Sequence, residues 1–178
     1  ALMHRERTRA EADRLSTRDP LTELMNRRSI TRLVERELLH QQRNGGVLAL
    51  LMIAIDDFRD INNRFGQLAG DRVLRQFSRL LTSTLRGQDL GGRYSSTEFC
   101  VLLPETGQAG ARSLADRLRQ TVAAAEIGPD GIRYTISQGI AESRPGETNA
   151  ALLLAQADDA LRLARHRGPD SLAAGGGG

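Results

Sequence analysis

Nine consecutive apolar residues run from Val47 to Ile55 without a charge or a turn residue. A run of this kind is typical of a strand in the middle of a sheet that is covered on both faces. No longer apolar run occurs in the chain, and this one is far shorter than the ~18 residues that a transmembrane helix needs. We therefore expect a fold built around one buried central strand.

Helix and strand patterns alternate on both sides of this run. Asp19-Pro20 is typical of a helix N-terminus, with Asp19 as the cap and Pro20 in the first turn. The predicted helices cover about 19–42, Phe58–Arg64, Leu68–Leu85, Gln108–Ala125 and Asn149–Arg167. The predicted strands are Val47–Ile55, a hairpin of Leu90–Tyr94 with Glu98–Leu103, and Ile132–Ala141. This order predicts an α/β or α+β fold with helices covering a small sheet.

The two ends of the chain differ from its middle. Residues 1–18 are charged and poor in large apolar side chains, which predicts an exposed linker helix that leads in from an upstream module. Residues 19–170 carry the alternating patterns and are assigned to one domain. Residues 171–178 end in AAGGGG, which predicts a flexible tail. We interpret the 178 residues as a piece of a longer protein.

Charge and composition argue against several classes of function. All 25 lysine-or-arginine positions are arginine, against 22 acidic residues, so the formal net charge is only +3. Aromatic residues make up 3 % of the chain, too few for the stacking surface of a single-strand nucleic-acid binder. The lone cysteine, Cys100, excludes an internal disulfide and a multi-cysteine zinc site.

Four motifs follow one another along the chain. They are DPLTELMNRR (19–28), AIDDFRDINN (54–63) with FGQ (65–67) and GD (70–71), RYSSTEF (93–99), and TISQGIA (135–141) with ADDAL (157–161) and AR (164–165). In this order and spacing they resemble the GGDEF domain of diguanylate cyclases, over roughly residues 17–170. The resemblance implies a mostly antiparallel sheet of about five strands surrounded by helices, related to the palm of nucleotide cyclases. Active members condense two GTP molecules into cyclic di-GMP with Mg²⁺ or Mn²⁺.

The chain departs from the family at the positions that would hold the metal. The family takes one carboxylate from the position of Ala54 and one from that of Thr97, and neither residue here has a carboxylate. Ser95 and Ser96 replace the two glycines of the family's signature turn. We therefore predict no catalytic residues and no metal site, and expect Mg²⁺ only where residual GTP binding brings it. Asp56 remains, two residues beyond Ala54, and its access to a metal is left open.

Other positions of the family's nucleotide site are kept. Asn62 and Asp71 match the residues that recognise guanine, and Arg165 stands at a phosphate-contacting lysine position. Glu98 and Phe99 match the last two residues of the signature. An amide and a carboxylate near helix ends are also common caps, so Asn62 and Asp71 have a purely structural alternative.

Arg86-Gly87-Gln88-Asp89 is an R-x-x-D motif shortly before the signature. Its place matches the family's inhibitory site, where the arginine and the aspartate bind cyclic di-GMP and Arg117 stands at the position of an assisting arginine. Arginine can bond both guanine and phosphate. The alternative is an ordinary surface ion pair between Arg86 and Asp89, worth only ~0.2–0.5 kcal/mol.

Four functions remain open from the sequence. The first is a cyclic di-GMP receptor, acting as a homodimer or on a neighbouring sensory module. The second is a GTP-binding regulatory domain that uses Asn62, Asp71 and Arg165 and controls an attached phosphodiesterase domain of the EAL type. The third is a nucleotide-free dimerisation or protein-interaction domain, and the fourth is a residual cyclase. The family's ligands imply a cytoplasmic location, whether or not the parent protein is anchored to a membrane.

Overall fold

The computed structural model describes residues 16–125 and 131–175. The predicted linker helix at 1–18 lies almost entirely outside the described residues, as do the last three residues of the predicted tail. Within the described part, a five-stranded sheet is packed between two layers of helices.

The central strand of the sheet is β1, which spans Leu48–Ile55. The other strands are β2 (Leu90–Arg93), β3 (Glu98–Pro104), β4 (Ile136–Glu142) and β5 (Leu172–Ala174). Their order is β2-β3-β1-β4-β5, with β1 antiparallel to both of its neighbours. β2 is antiparallel to β3, and β5 runs parallel to β4. The predicted mostly antiparallel sheet of about five strands is confirmed.

Five helices lie in the described part of the chain: α1 (Arg27–Asn44), α2 (Phe58–Phe65), α3 (Gln67–Thr84), α4 (Gln108–Ala124) and α5 (Ala150–His166). Alternate residues of β1 enter two separate cores. Leu51 and Ile53 pack with the inner faces of α3 and α4, and Leu50 and Met52 with those of α1 and α5. All eight residues of β1 are buried, as the unbroken apolar run predicts. None of the described helices is long and apolar enough to cross a membrane.

The predicted start of the first helix is wrong. Asp19 begins a turn instead of a helix, because its carboxylate accepts hydrogen bonds from the backbone N–H of Thr22 at 2.9 Å and from its hydroxyl at 2.7 Å. The helix begins at Arg27, where the Asn26 side chain caps the N–H of Ser29 at 3.0 Å. A residue that caps a turn and one that caps a helix share the same side-chain chemistry, so the sequence alone misplaced the boundary.

Asp19 also forms an ion pair with Arg93, at 3.1 Å between Oδ2 and Nη1, and this pair ties the N-terminal turn to β2. Burial by itself would raise the pKa of Asp19, but the Thr22 hydrogen bonds and the Arg93 cation outweigh it and leave the pKa below its usual value. A lowered carboxyl pKa stabilises the fold above the unfolded-state pKa, and the contribution is lost as the pH falls through the folded-state pKa.

We expect Asp19→Asn to lower the free energy of unfolding by about 1–3 kcal/mol at pH 7. The difference from the parent protein shrinks below about pH 4, where the carboxylate is protonated in both states. Urea unfolding of the two proteins at pH 7 and at pH 3 measures this. An equal deficit at both pH values would show that shape, and not charge, is what the substitution removes.

Two further differences concern the C-terminal part of the sheet. β4 begins at Ile136 and not at Ile132, because its partner β1 ends at Ile55, which pairs with Ile136. β5 was not predicted: Leu172–Ala174 lie within the expected flexible tail, yet they pair with Gln138–Ile140 of β4. A three-residue strand carries too short a pattern to be recognised, and its stability comes from the edge of β4.

Candidate functional site

The turn between β2 and β3 carries the residues that replace the family's glycines. The Ser95 hydroxyl donates to Glu98 Oε1 at 3.1 Å and accepts from the Glu98 N–H at 3.0 Å. Arg93 Nη2 donates to the Ser96 carbonyl at 2.9 Å. The serine side chains therefore hold the turn together in a conformation of its own, and the space that glycine would leave open beside the backbone is filled.

Ala54 and Thr97, the two positions without a carboxylate, lie at one end of the sheet. Ala54 is 2 % exposed and stands opposite Glu98 in the pairing of β1 with β3. Thr97 is half-buried in the turn, and both residues line one cleft. A methyl group and a neutral hydroxyl do not supply the anionic oxygens that a divalent cation requires here.

Asp56 is committed to structural hydrogen bonds. Its Oδ2 accepts from the Thr135 hydroxyl at 2.6 Å and from the Asp170 N–H at 2.7 Å, and its Oδ1 accepts from the Ser137 hydroxyl at 2.7 Å. This carboxylate joins β1 to β4 and to the loop between α5 and β5. Asp56 therefore does not replace the missing metal ligands, which answers the question that the sequence left open.

Glu98 is a poor substitute as well. Burial and the neighbouring Asp158 carboxyl of α5 raise its pKa, while the Ser95 hydroxyl and the Arg165 cation act in the opposite direction. A carboxyl with a raised pKa gives up its proton less readily to a metal. Within 16–125 and 131–175, no three His, Cys, Asp or Glu side chains are grouped to hold a metal ion. The residues present do not fit the divalent cation that the resemblance implies.

Asn62 and Asp71 are brought to one place by the tight turn between α2 and α3. Asn62 is half-buried, and its Oδ1 is shielded from solvent and has no hydrogen-bond donor. Gly70 lies against it so closely that a Cβ at Gly70 would overlap Asn62 Oδ1 and come within 3.2 Å of the Phe58 ring. Asp71 is half-buried on the first turn of α3. Neither side chain acts as a helix cap in the recorded hydrogen bonds, which favours the binding interpretation over the capping one.

A cleft of about 490 Å³ opens beside this pocket. Phe58 lines the cleft and also contacts the Gly70 side of the pocket. Arg165 of α5 lines the same cleft, so the structure brings this predicted phosphate contact to the end of the sheet that holds Ala54 and Thr97. Arg59, at the start of α2, is a second cation in the cleft that the motif comparison did not single out.

The R-x-x-D motif forms a compact turn between α3 and β2. Asp89 is 8 % exposed, and its Oδ2 accepts the backbone N–H of Arg86 at 3.1 Å. Its Oδ1 is buried without a donor. The Arg86 side chain is exposed and makes no ion pair with any described residue. The surface ion pair that the sequence offered as an alternative is therefore not formed.

Arg117, the third residue predicted for this site, is exposed on α4, which packs against α3. Sequence reasoning missed a second group of cations near the motif. A cleft of about 410 Å³ between α1 and the β2–β3 edge is lined by Gln88 of the motif and by Arg36, His40 and Arg43 of α1. Their spacing of four and three residues places them on one helix face, and this spacing is the signal that the sequence contained.

These features define a domain of the nucleotide-cyclase type, with a base pocket, an adjoining cleft and a separate arginine-aspartate turn. A family model of the GGDEF domain of diguanylate cyclases matches residues 16–171. The chain belongs to the GGDEF family.

Individual relatives agree with this assignment. Diguanylate cyclase DgcP of Pseudomonas aeruginosa is 39 % identical over 156 residues, which cover 86 % of this chain and 23 % of that protein. The chain thus spans about a quarter of this curated relative. The structure of diguanylate cyclase SiaD from Pseudomonas aeruginosa, in complex with its activator SiaC, is 35 % identical with a TM-score of 0.84. That match covers 97 % of this chain and 66 % of SiaD.

A third match is a microbial GGDEF domain whose structure describes its interaction with cyclic di-GMP. It is 28 % identical with a TM-score of 0.78, and the match covers 89 % of this chain and 98 % of that one.

Proposed function

We propose that this domain is a non-catalytic receptor for cyclic di-GMP, with Arg86, Asp89 and Arg117 as its ligand-binding residues. The observation that carries the proposal is the state of the motif: an exposed Arg86 guanidinium without an ion pair beside a buried Asp89 oxygen without a donor. Arginine donates a pair of hydrogen bonds to guanine O6 and N7, and a carboxylate oxygen accepts from the guanine N–H groups. The ligand supplies what both side chains lack.

The neighbouring cations support the same ligand. Cyclic di-GMP is a dianion, and the cleft beside Gln88 presents Arg36, His40 and Arg43. Exposed cations around a binding site attract an anionic ligand and raise its association rate. The helix that carries them holds five arginines against two glutamates, so its formal charge equals the +3 of the whole chain.

Catalysis is not part of the proposal. Phosphoryl transfer by this family depends on divalent metal, and Ala54, Thr97, the engaged Asp56 and the raised pKa of Glu98 leave no suitable set of oxygen ligands. We expect no pyrophosphate release from GTP in the presence of Mg²⁺ or Mn²⁺. This assay, together with the titration below, separates a receptor from a residual cyclase.

Calorimetric titration of cyclic di-GMP into nucleotide-free protein tests the receptor. We expect Arg86→Ala to weaken binding by about 2 kcal/mol, roughly thirtyfold, because it removes a bidentate contact. The unfolding midpoint should not change, because the Arg86 side chain has no partner within the described part of the protein. Arg79→Ala, an exposed arginine on α3, is the matched control and should bind like the parent protein.

Equal affinity of the parent and the Arg86→Ala protein would reject this site. Absence of binding in the parent protein would reject the receptor function altogether.

A second candidate is a GTP-binding regulatory domain that controls an attached phosphodiesterase or another module. The donor-less Asn62 Oδ1 beside Gly70 favours it, since a buried amide oxygen without a partner costs about 1–3 kcal/mol that a bound base would recover. Titration of GTP with and without Mg²⁺ tests it, and Asn62→Ala should abolish the signal.

A further inference from the structure

The cleft that adjoins the base pocket has no surplus of positive charge. Among its lining residues, Arg59 and Arg165 are balanced by Asp57 and Asp60. Asp57, Arg59 and Asp60 are all exposed at the start of α2, so a ligand in the cleft meets both signs of charge. The Arg165 cation also acts on the Glu98 carboxyl, which reduces what it can offer to a ligand.

This charge balance bears on how many phosphates a ligand can carry into the cleft. A phosphate monoester has a charge of about −1.5 to −2 at pH 7, which two arginines can match. A triphosphate adds two more ionised groups, and divalent cations normally neutralise these in nucleotide sites. Here the carboxylates that would hold such cations are replaced by Ala54 and Thr97, and the aspartates would repel the additional phosphates.

The adjoining pocket requires a ligand with hydrogen-bond donors. Asn62 Oδ1 lacks a donor, and the half-buried Asp71 carboxylate is a pure acceptor. The adjacent N1–H and N2–H groups of guanine are donors of this kind. Phe58 stands between pocket and cleft, so a base in the pocket directs its sugar and phosphate towards Arg165.

We propose that this site selects guanosine monophosphate, bound without a divalent cation, over GTP. The inference rests on the base pocket of the second candidate function and changes its ligand from a triphosphate to a monophosphate. It does not depend on the R-x-x-D turn.

Calorimetry on the Arg86→Ala protein tests the inference, because that substitution silences the other proposed site. GMP, guanosine and GTP are titrated separately, in EDTA and in Mg²⁺. We expect GMP to bind at least about tenfold more tightly than GTP, with no gain for GTP from Mg²⁺. Tighter binding of GTP, or binding of GTP that requires Mg²⁺, would overturn the inference, and so would the absence of GMP binding.

Two variants locate the ligand. Asn62→Ala should abolish binding of both GMP and guanosine. Arg165→Gln should reduce the affinity for GMP to that for guanosine while leaving guanosine binding unchanged, and Arg79→Gln serves as its control. Unchanged GMP binding in Arg165→Gln would contradict the assigned phosphate contact. A failure in these titrations leaves the cyclic di-GMP result on the parent protein untouched, so the two proposals are tested separately.

Discussion

Gly139→Val is expected to prevent stable folding of the domain. Gly139 lies buried in β4, and a Cβ at this position would overlap backbone atoms of Ala157, Ala160 and Leu161 in α5. Backbone cannot move aside as the end of a flexible side chain can, so helix and sheet would have to separate. We expect a loss of more than about 4 kcal/mol, comparable to the whole stability of a marginal domain.

The expected effect is measured by urea unfolding of Gly139→Ala, because the valine variant itself is expected to be insoluble. The single added methyl should already lower the midpoint strongly. Gly87→Ala is the matched control, since nothing lies within 4 Å of the position its Cβ would take. A Gly139→Ala protein with the parent's midpoint would show that α5 can shift away from the sheet at little cost.

Asp56→Ala should destabilise the fold by about 3 kcal/mol. The substitution removes the acceptor for two hydroxyl groups and one backbone N–H, and hydrogen bonds to charged groups contribute about 1.5–3 kcal/mol each. Part of the loss is recovered because water can reach the Asp170 end of the network. Urea unfolding measures the change.

Asp60→Ala provides the comparison for Asp56. Asp60 is exposed on α2 and forms an i,i+4 ion pair with Arg64 at 3.8 Å, so its loss should cost less than about 0.5 kcal/mol. If Asp56→Ala were as mild as Asp60→Ala, Asp56 would be free for a ligand and the structural role argued above would fail.

The two proposed sites have different origins in the family's architecture. The R-x-x-D turn needs no metal, because arginine and aspartate can bind guanine and phosphate by hydrogen bonds alone. The cleft beside Ala54 depends on metal in a cyclase, and the loss of its carboxylates changes which ligand it can hold. The same substitutions that remove catalysis therefore leave the first site intact and alter the charge preference of the second.

Several features follow from the sequence because they depend on neighbours along the chain. The apolar run of β1 and the helical spacing in α3 and α4 are confirmed, since burial on a face is written into the local pattern. The absence of carboxylates at Ala54 and Thr97 is likewise a property of the residues themselves and needs no fold to be read.

Other features were decided only by tertiary structure. The partners of Asp56 lie 79, 81 and 114 residues further along the chain, and no local pattern relates them. Asp19 caps a turn because the fold brings Arg93 to it, and β5 exists because β4 offers an open edge. Local periodicity determines which residues form helices and strands. Hydrogen bonds between distant segments form only after packing has brought them together, so they set the roles of the individual polar side chains.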